Sequence, residues 1–277
     1  MKRFKHKHLP GFFVLMLTGL VFLFSCATNP MTGRRTMALV SNEQLFPMSF
    51  AQFDEFIAAS TVVTGTPEAQ MIQRVGNRLV EATERWLDSM GRLSELDGYR
   101  WEFVLIQDNS INAWAMPGGK IAFYTGILPI TYNEAGIAVV MGHEIAHAVL
   151  NHGQQRMSAA MIQQFGFVGL SLLTAGQTAM TQNILLTSFG VGSELFGTLP
   201  FSRQHELEAD HLGTILMAIA GYNPNEAPLL WERMASLPGG RVPEFLSTHP
   251  SDEQRIRNLR NIVPEAIETA ARFGVHF

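Results

Sequence analysis

The sequence predicts an α+β fold that is mainly helical, with one small antiparallel sheet. Two observations carry this prediction. Stretches before residue 90 and after residue 131 repeat apolar residues every three or four positions, which is the period of a helix face. Between them, three short segments have the composition of strands separated by turns: Trp101 to Ile106, Asn112 to Met116, and Lys120 to Thr125.

The composition excludes several classes of protein. The chain has 277 residues, of which 47% are hydrophobic and 16% charged, so it can bury a core and is neither disordered nor fibrous. Four of the 20 basic residues lie near the N-terminus, and the rest of the chain has 16 basic and 24 acidic residues. We therefore expect no nucleic-acid binding. A single cysteine, Cys26, excludes an internal disulfide framework and a cysteine-ligated structural zinc site.

The N-terminus has the pattern of a secretory signal. A basic start is followed by an uncharged run from Gly11 to Ser25, about 15 residues long and short for a membrane span. The run ends in Leu-Phe-Ser-Cys26, which resembles a bacterial lipobox, although the phenylalanine is bulkier than is usual there. We expect Cys26 to be lipidated. The alternative is an uncleaved signal anchor with a buried cysteine.

The chain is predicted to have three parts, of which cleavage before Cys26 would remove the first. Residues 1–25 would be the lipoprotein signal peptide, residues 26–40 a lipidated tether, and residues 41–277 the folded domain. More than one acyl chain gives stable membrane anchoring. Ala27, rather than an aspartate, at the second mature position favours the outer membrane under the usual bacterial sorting rule.

The first predicted helices follow from spacing and from residues typical of helix ends. Residues 41–60 and 67–90 have helical spacing. The second of these carries one apolar stripe that we expect to face the core: Met71, Val75, Leu79 and Ala82. Thr131 begins a Thr-x-x-Glu capping box, so the next helix should start there and end near Leu150 or Asn151.

The C-terminal half is predicted as further helices. Residues 157–200 are rich in apolar and small residues, but polar residues interrupt them, so we predict no membrane span. Ser202 is expected to cap a helix that runs to about Ala220. Another helix should follow Pro224, and Ser251 should cap the last one.

The pattern His143-Glu144-Ile145-Ala146-His147 indicates a metal site within the helix that follows Thr131. Residues four apart share a helix face, so both imidazoles can point at one metal, and Glu144 then lies beside the metal's open position. The flanking residues are apolar, as a buried site requires. The alternative is a pair of histidines that are hydrogen-bonded within a helical core.

A third ligand must come from elsewhere in the chain. One known zinc-protease pattern places it ten residues after the first histidine, where this chain has Gly153. His152 would lie on the opposite face of a continuous helix, so we expect it to be a helix-end cation. Glu206 and Asp210 are four apart and share a face, whereas Glu208 should face solvent. Spacing alone leaves Glu206 open between a metal ligand and a solvated charge.

Several motifs together resemble those of the gluzincin family of metalloproteases. That family contains the CaaX prenyl protease, the bacterial heat-shock membrane protease and periplasmic lipoprotein proteases of outer-membrane quality control. The motifs are Asn-Pro-Met-Thr-Gly-Arg-Arg at 29–35, Asn-Ala-Trp-Ala-Met-Pro-Gly-Gly at 112–119, His-Glu-Ile-Ala-His at 143–147, Ser-Arg-x-x-Glu-x-x-Ala-Asp at 202–210, and Thr-His-Pro at 248–250.

The resemblance implies a zincin-like metalloprotease domain with its small sheet beside the His-Glu-x-x-His helix. It implies one Zn²⁺ per chain, held by His143, His147 and Glu206. Glu144 would act as general base, Asp210 would orient a ligand imidazole or assist proton return, and His249 would steady the oxyanion or occupy the fourth metal position in a resting state.

The resemblance also implies polypeptide substrates. Asn112, Ala113, Trp114 and Ala115 are expected to pair with an extended substrate through the backbone, the alternative being an ordinary edge strand. The function expected is that of a lipid-anchored zinc endopeptidase on the periplasmic face of the outer membrane, which acts on unfolded or misassembled outer-membrane proteins. The outer-membrane assembly machinery is a further candidate partner.

Two other functions compete with this one. The first is a chaperone-like or assembly-factor module whose zinc site is closed by His249. The intact Glu144 argues against it, because a non-catalytic module has no need of a general base. The second is an inner-membrane protease in which residues 157–200 form a buried hairpin, and the polar residues of that stretch argue against it.

Overall fold

The computed structural model describes residues 26–28, 33–174, 178–181, 199–237, 245, 249 and 253–277. The expected signal peptide and the expected cap Ser251 lie outside the described residues. The helices are α1 Asn42–Ala59, α2 Pro67–Asp88, α3 Leu128–Thr131, α4 Glu134–Val149, α5 His152–Thr174, α6 Leu199–Ile219, α7 Glu226–Ala235 and α8 Glu253–Arg272. The strands are β1 Cys26–Thr28, β2 Arg35–Met37, β3 Val62–Val63, β4 Glu102–Ile106, β5 Ala113–Met116 and β6 Lys120–Tyr124. The prediction of a mainly helical α+β fold is confirmed.

The main sheet has four strands in the order β3-β4-β6-β5 and is mixed, so the prediction of an antiparallel sheet is wrong in part. β5 pairs antiparallel with β6, and β3 pairs antiparallel with β4. β4 and β6 run parallel, with Glu102 opposite Lys120. The reason is that β5 lies outside β6 rather than between β6 and β4. β5 is therefore an edge strand.

Helix α2 covers one face of the core. Thr66 caps it by accepting the Ala69 N–H, and Pro67 occupies the first helical position. Most of the predicted stripe is buried, although Ile72, not Met71, takes the innermost position. At Gly76 the helix approaches the ring of Phe103 so closely that a Cβ atom would overlap it, which brings α2 directly onto β4.

Helix α4 runs through the centre of the molecule and is buried on every side. From Gly136 to Val149 every residue is buried. The helix begins three residues later than predicted, because the side chain of Asn133, not Thr131, accepts the Gly136 N–H. Thr131 instead ends the short helix α3. The chain leaves α4 at Asn151, whose φ of 56° lies in the left-handed region that asparagine tolerates.

Helices α4 and α6 touch through two glycines. A Cβ atom on Gly142 would lie 2.8 Å from the Gly213 carbonyl oxygen, and one on Gly213 would lie 2.8 Å from the Gly142 carbonyl carbon. Since backbone cannot yield as a flexible side chain can, only glycine permits this approach. The crossing sets the distance between the side chains that the two helices project at this level. Ser202 does not cap α6, which already begins at Leu199.

The segment before α1 is attached to the domain. β1 and β2 pair antiparallel, with Cys26 opposite Met37. The Leu39 N–H donates to Ser158 Oγ of α5, and Thr36 is buried. Part of the stretch expected to be a tether therefore packs against the domain. In the described part of the chain, none of the helices has the length and apolar character needed to cross a bilayer.

Candidate active site

Four buried side chains converge where α4 and α6 cross. His143 and His147 of α4, Glu206 of α6, and His249 each offer one ligand atom, and these atoms all lie within 4.8 Å of one another. His143 Nε2 lies 2.9 Å from His147 Nε2 and 3.3 Å from Glu206 Oε2. His249 Nδ1 lies 2.8 Å from Glu206 Oε2 and 3.1 Å from His143 Nε2.

The donor set fits zinc. Zn²⁺ takes four nitrogen, sulfur or oxygen ligands in a tetrahedron at ~2.0–2.2 Å, which separates the ligand atoms by about 3.3 Å. The separations between His143, His147 and Glu206 are close to that value. The pair of histidines that spacing predicted and the glutamate that it left open therefore lie together, and the cluster could hold a metal ion.

The charges in the cluster also favour a cation. Burial alone would lower the pKa of His143, but the nearby carboxylates of Glu206 and Asp210 outweigh it and raise this pKa to about 9. Burial would raise the pKa of Glu206, but the charge of His143 and hydrogen bonds from three histidines hold it well below its usual range. The Glu206 carboxylate thus lies buried among three imidazoles, where a bound cation would add to the compensation of its charge.

Asp210 holds the outer side of His143. Its Oδ1 lies 3.0 Å from His143 Nδ1, so the Nδ1–H can donate to the carboxylate while Nε2 faces the cluster. Arg255 binds the same carboxylate: its Nη2 donates to Asp210 Oδ1 at 2.6 Å, and Nη1 lies 3.2 Å from Glu206 Oε2. The guanidinium also stacks 3.5 Å over the ring of Trp231.

Sequence reasoning missed Arg255, although the sequence contains a signal for it. In the amphipathic helix α8, Arg255 falls on the buried stripe that continues through Leu259, Val263 and Ala266. A charged residue on a core-facing stripe is uncommon unless it is paired. That position alone could have marked Arg255 as the partner of a buried acid.

Glu144 has the environment of a general base. Its side chain is buried, and its Oε1 has no hydrogen-bond partner among the described residues. Burial raises the pKa of its carboxyl group. The nearest basic atom is His249 Nε2, 3.5 Å from Oε1. A buried acceptor left open in this way can take a hydrogen bond from a water or a substrate.

A cleft of about 190 Å³ opens onto this group. Its walls include Glu144, His147 and His249, and its far side is formed by β5 and the residue after it. Of the four residues expected to bind substrate, Trp114 and Ala115 line the cleft. Asn112 and Ala113 are buried at the start of the strand. Arg156, an exposed cation of α5, lies at the rim.

His249 belongs to neither α4 nor α6, and its described backbone contact is to Phe245. Its backbone N–H donates to the Phe245 carbonyl at 2.8 Å, and its ring packs 4.6 Å from the Phe245 ring. The Phe245 N–H in turn donates to the Ile111 carbonyl just before β5. His249 is therefore held between the residue before β5, through Phe245, and Glu206 of α6.

Two residues lie where the sequence did not place them. His152 was expected to be a cation on the far side of the helix, but it is fully buried, and its Nδ1 lies 2.9 Å from His147 Nδ1. The extrapolation failed because α4 ends at Val149, and the turn at Asn151 reverses the chain. Glu208 was expected to face solvent, but it is buried and bonds to His152 and Arg34.

Several known proteins are similar to this chain. It is 38% identical over 210 residues to the mitochondrial metalloendopeptidase OMA1 of Saccharomyces cerevisiae. That alignment covers 73% of this chain and 58% of the yeast protein. It is 29% identical over 257 residues to the mitochondrial OMA1 metalloendopeptidase of Homo sapiens, covering 90% of this chain and 48% of that one. It is 31% identical over 172 residues to the beta-barrel assembly-enhancing protease of Escherichia coli, covering 58% and 34%.

The chain thus spans between about a third and three fifths of the length of these relatives. Residues 69–263 match the sequence pattern of peptidase family M48, and this range contains the convergent histidines and Glu206. Because that match covers more than half of the chain, the protein belongs to peptidase family M48.

Proposed function

We propose that the chain is a zinc-dependent endopeptidase whose metal is held by His143, His147 and Glu206. The observation that carries the proposal is the convergence of these donor atoms beside Glu144, which lines an open cleft and whose Oε1 has no partner in the described part of the chain. A zinc ion bound there would supply Lewis-acid polarisation of the scissile carbonyl and a lowered pKa for the attacking water.

Glu144 is the proposed general base. Glu144 lines the cleft, and its Oε1, which has no hydrogen-bond partner among the described residues, can accept the proton of the water that attacks the scissile carbonyl. The same carboxyl group can then protonate the leaving amine. The raised pKa of this carboxyl suits such proton return, since its protonated form is made more accessible by burial.

Asp210 is the proposed orienting residue for His143. By accepting the Nδ1–H, it keeps the Nε2 lone pair directed into the cluster. Arg255 compensates the charge of Asp210 and fixes its position. His249, whose Nδ1 lies among the ligand atoms, is proposed to occupy the fourth position in a resting state or to stabilise the oxyanion during the reaction.

The edge strand β5 is proposed to bind an extended substrate. The Tyr124 N–H donates to the Asn112 carbonyl. In an antiparallel pair every second residue bonds to the partner strand, so the backbone of Asn112, Trp114 and Met116 bonds to β6. The N–H and C=O groups of Ala113 and Ala115 consequently point away from the sheet. Ala115 lies on the cleft, where a substrate backbone could pair with it regardless of side chains.

The cellular role is proposed from the N-terminal pattern and one relative. The lipobox-like sequence that ends at Cys26 supports a lipid anchor and a periplasmic location at the outer membrane. The Escherichia coli relative is named for beta-barrel assembly, which supports unfolded or misassembled outer-membrane proteins as substrates and the assembly machinery as a partner. The OMA1 relatives are mitochondrial by name, so the bacterial location rests on the signal sequence.

A second candidate function is a binding module with a closed metal site. The observation that favours it is the Nδ1 of His249, which lies within hydrogen-bond distance of both His143 and Glu206 and could fill the position that substrate would need. In such a protein, removal of His249 would be required before any hydrolysis is seen.

The test is hydrolysis of casein by the purified full chain, with zinc content measured in parallel. We expect one zinc per chain, hydrolysis that a chelator abolishes, and loss of several orders of magnitude in the Glu144→Gln variant with zinc and fold retained. Glu134→Gln is the matched control, because Glu134 lies in the same helix but pairs with exposed Arg74. Near wild-type hydrolysis by Glu144→Gln, or a wild-type protein without zinc, would overturn the proposal.

A further inference from the structure

A second polar cluster lies behind His147, on the side away from the cleft. His152, at the start of α5, is fully buried there and stacks on His205 with ring centroids 4.2 Å apart. Glu208 of α6 is buried beside it. Arg34 reaches this cluster from the segment just before β2. The proposed mechanism assigns no role to any of these residues.

If His147 binds a metal, the contacts of the cluster fix which ring nitrogen of His147 and of His152 carries the proton. His147 Nε2 faces the donor cluster, so metal binding needs its lone pair there and leaves the proton on Nδ1. His147 Nδ1 lies 2.9 Å from His152 Nδ1, which must then accept. The proton of His152 is consequently on Nε2, and this atom lies 3.1 Å from the accepting Oε2 of Glu208.

Glu208 is held in place from the N-terminal segment. Arg34 Nε donates to Glu208 Oε1 at 2.7 Å, and Arg34 Nη2 donates to Oε2 at 3.1 Å, which is the two-pronged geometry of a strong arginine–carboxylate pair. Gln204 adds a third donor at 3.1 Å. With Arg34 and Gln204 both donating to it, the Glu208 carboxylate is held as an acceptor for His152.

The side chain of Arg156 competes with His152 for the Nδ1 atom of His147. Arg156 Nη2 lies 3.3 Å from His147 Nδ1, and a bond donated by it would force the His147 proton onto Nε2, where it would block a metal. Arg156 is exposed and can turn into the cleft, whereas His152 is enclosed and cannot leave. The enclosed acceptor therefore decides the tautomer.

We propose that His152, Glu208 and Arg34 form a positioning relay that fixes the tautomer and orientation of His147, so that the N-terminal segment supports the metal site. The inference rests on the proposed binding of zinc by His147. Partners on the outer nitrogen of a metal-bound histidine typically change metal affinity by about 10- to 100-fold when they are removed. None of the three residues touches the substrate, so each is a positioning residue and not a catalytic one.

The test is the zinc affinity of the full chain, measured by competition with a chromophoric chelator. His152→Leu removes the acceptor and should weaken zinc binding by about 10- to 100-fold. His152→Asn keeps an oxygen near the place of Nδ1 and should recover most of that loss. Arg34→Met should weaken zinc binding by about tenfold, the lower end of the same range. Arg35→Met, which changes the adjacent and exposed arginine, should leave zinc affinity unchanged.

The melting temperature of each metal-free variant separates positioning from folding. The relay predicts that zinc affinity falls while the metal-free melting temperatures of His152→Leu and His152→Asn stay alike. Equal affinity loss in both variants, or wild-type affinity in both His152→Leu and Arg34→Met, would overturn the relay. If His152→Leu does not fold, the relay is tested by comparing the zinc affinity of Arg34→Met with that of Arg35→Met.

The proposed metal site is tested in the same titration. His147→Gln should lose zinc far more strongly than any relay variant, because it removes a ligand. A wild-type chain that binds no zinc, or a His147→Gln variant that binds it normally, would refute the metal site itself. If the wild type binds zinc and His147→Gln does not, but the His152 and Arg34 variants keep wild-type zinc affinity, only the relay is refuted.

Discussion

His249 is the residue whose role is most sharply limited by its contacts. Its Nδ1 points into the donor cluster and lies 2.8 Å from Glu206 Oε2. This geometry favours a fourth metal ligand at rest over a donor to the oxyanion. A side chain in that position must leave before a substrate carbonyl can approach the metal.

We therefore expect the His249→Ala variant to hydrolyse unfolded casein several-fold faster than the wild type, while its zinc affinity falls. The measurement is the initial rate at saturating casein together with a chelator titration. His276→Ala is the control, since His276 lies exposed at the far end of the chain. A rate that drops about 100-fold with zinc retained would instead assign His249 to the oxyanion.

Arg255 compensates buried charge. It pairs with Asp210 at 2.6 Å and with Glu206 at 3.2 Å, and all three side chains are buried. Removing one partner of a buried ion pair leaves an uncompensated charge, which typically costs about 3–5 kcal/mol. We expect Arg255→Met to lower the free energy of unfolding of the metal-free protein by about that amount in urea titrations.

Arg257→Met is the matched control for this substitution. Arg257 lies two residues further along the same helix, is exposed, and pairs with exposed Glu253 at 3.1 Å. Such a surface pair contributes about 0–1 kcal/mol. Similar losses for the two variants would show that the buried network around Asp210 adds nothing to stability.

The sequence pointed to the residues of the donor cluster and to Asp210 behind His143, but not to Arg255 or to the places of His152 and Glu208. His143, Glu144 and His147 follow from a short motif within one helix, and Glu206 and Asp210 from a second motif. His152 and Glu208 were misplaced because their positions depend on where a helix stops and on which face meets a neighbour. Periodicity within a single element cannot supply either.

At the scale of the element, the position of β5 at the sheet edge has a direct consequence for binding. The ladder to β6 uses the backbone of Trp114 and leaves the N–H of Ala115 pointing outward. Proline is tolerated on an edge strand where the N–H faces away from the sheet. The substitution Ala115→Pro therefore removes one donor for substrate and none for the fold.

We expect Ala115→Pro to lower kcat/KM for an extended peptide by about 3- to 10-fold, the contribution of about one hydrogen bond. Its melting temperature and zinc content should stay near those of the wild type. Ala115→Ser keeps the N–H and should cleave the peptide normally. An unchanged kcat/KM in Ala115→Pro would mean that substrate does not pair with this strand.

The elements themselves were largely predictable, but their pairing was not. The helices from 42 to 59, 67 to 88 and 134 to 149 match the predicted spans within a few residues, because each carries its own apolar spacing and end residues. The parallel pairing of β4 with β6 could not be predicted, since it depends on β5 passing to the outside of the sheet. β3 was missed because two residues carry no period.

At the scale of the whole molecule, the N-terminal segment joins the proposed anchor to the proposed metal site. Arg34 is eight residues after Cys26, and a fully extended chain of that length reaches at most about 28 Å. Pairing of β1 with β2 folds this segment back on itself and shortens the span. A lipid on Cys26 would therefore hold the cleft close to the membrane surface.

The anchor is tested by Cys26→Ser. A serine hydroxyl does not replace the thiol that carries the lipid, so we expect no incorporation of labelled palmitate, and either an unprocessed signal or a protein soluble in the periplasm. Casein hydrolysis by the purified variant should match the wild type, because the proposed catalytic groups all follow residue 142. Ser25→Ala is the control and should still be labelled. Palmitate found on the Cys26→Ser protein would exclude Cys26 as the site of lipidation and with it the membrane-proximal placement of the cleft.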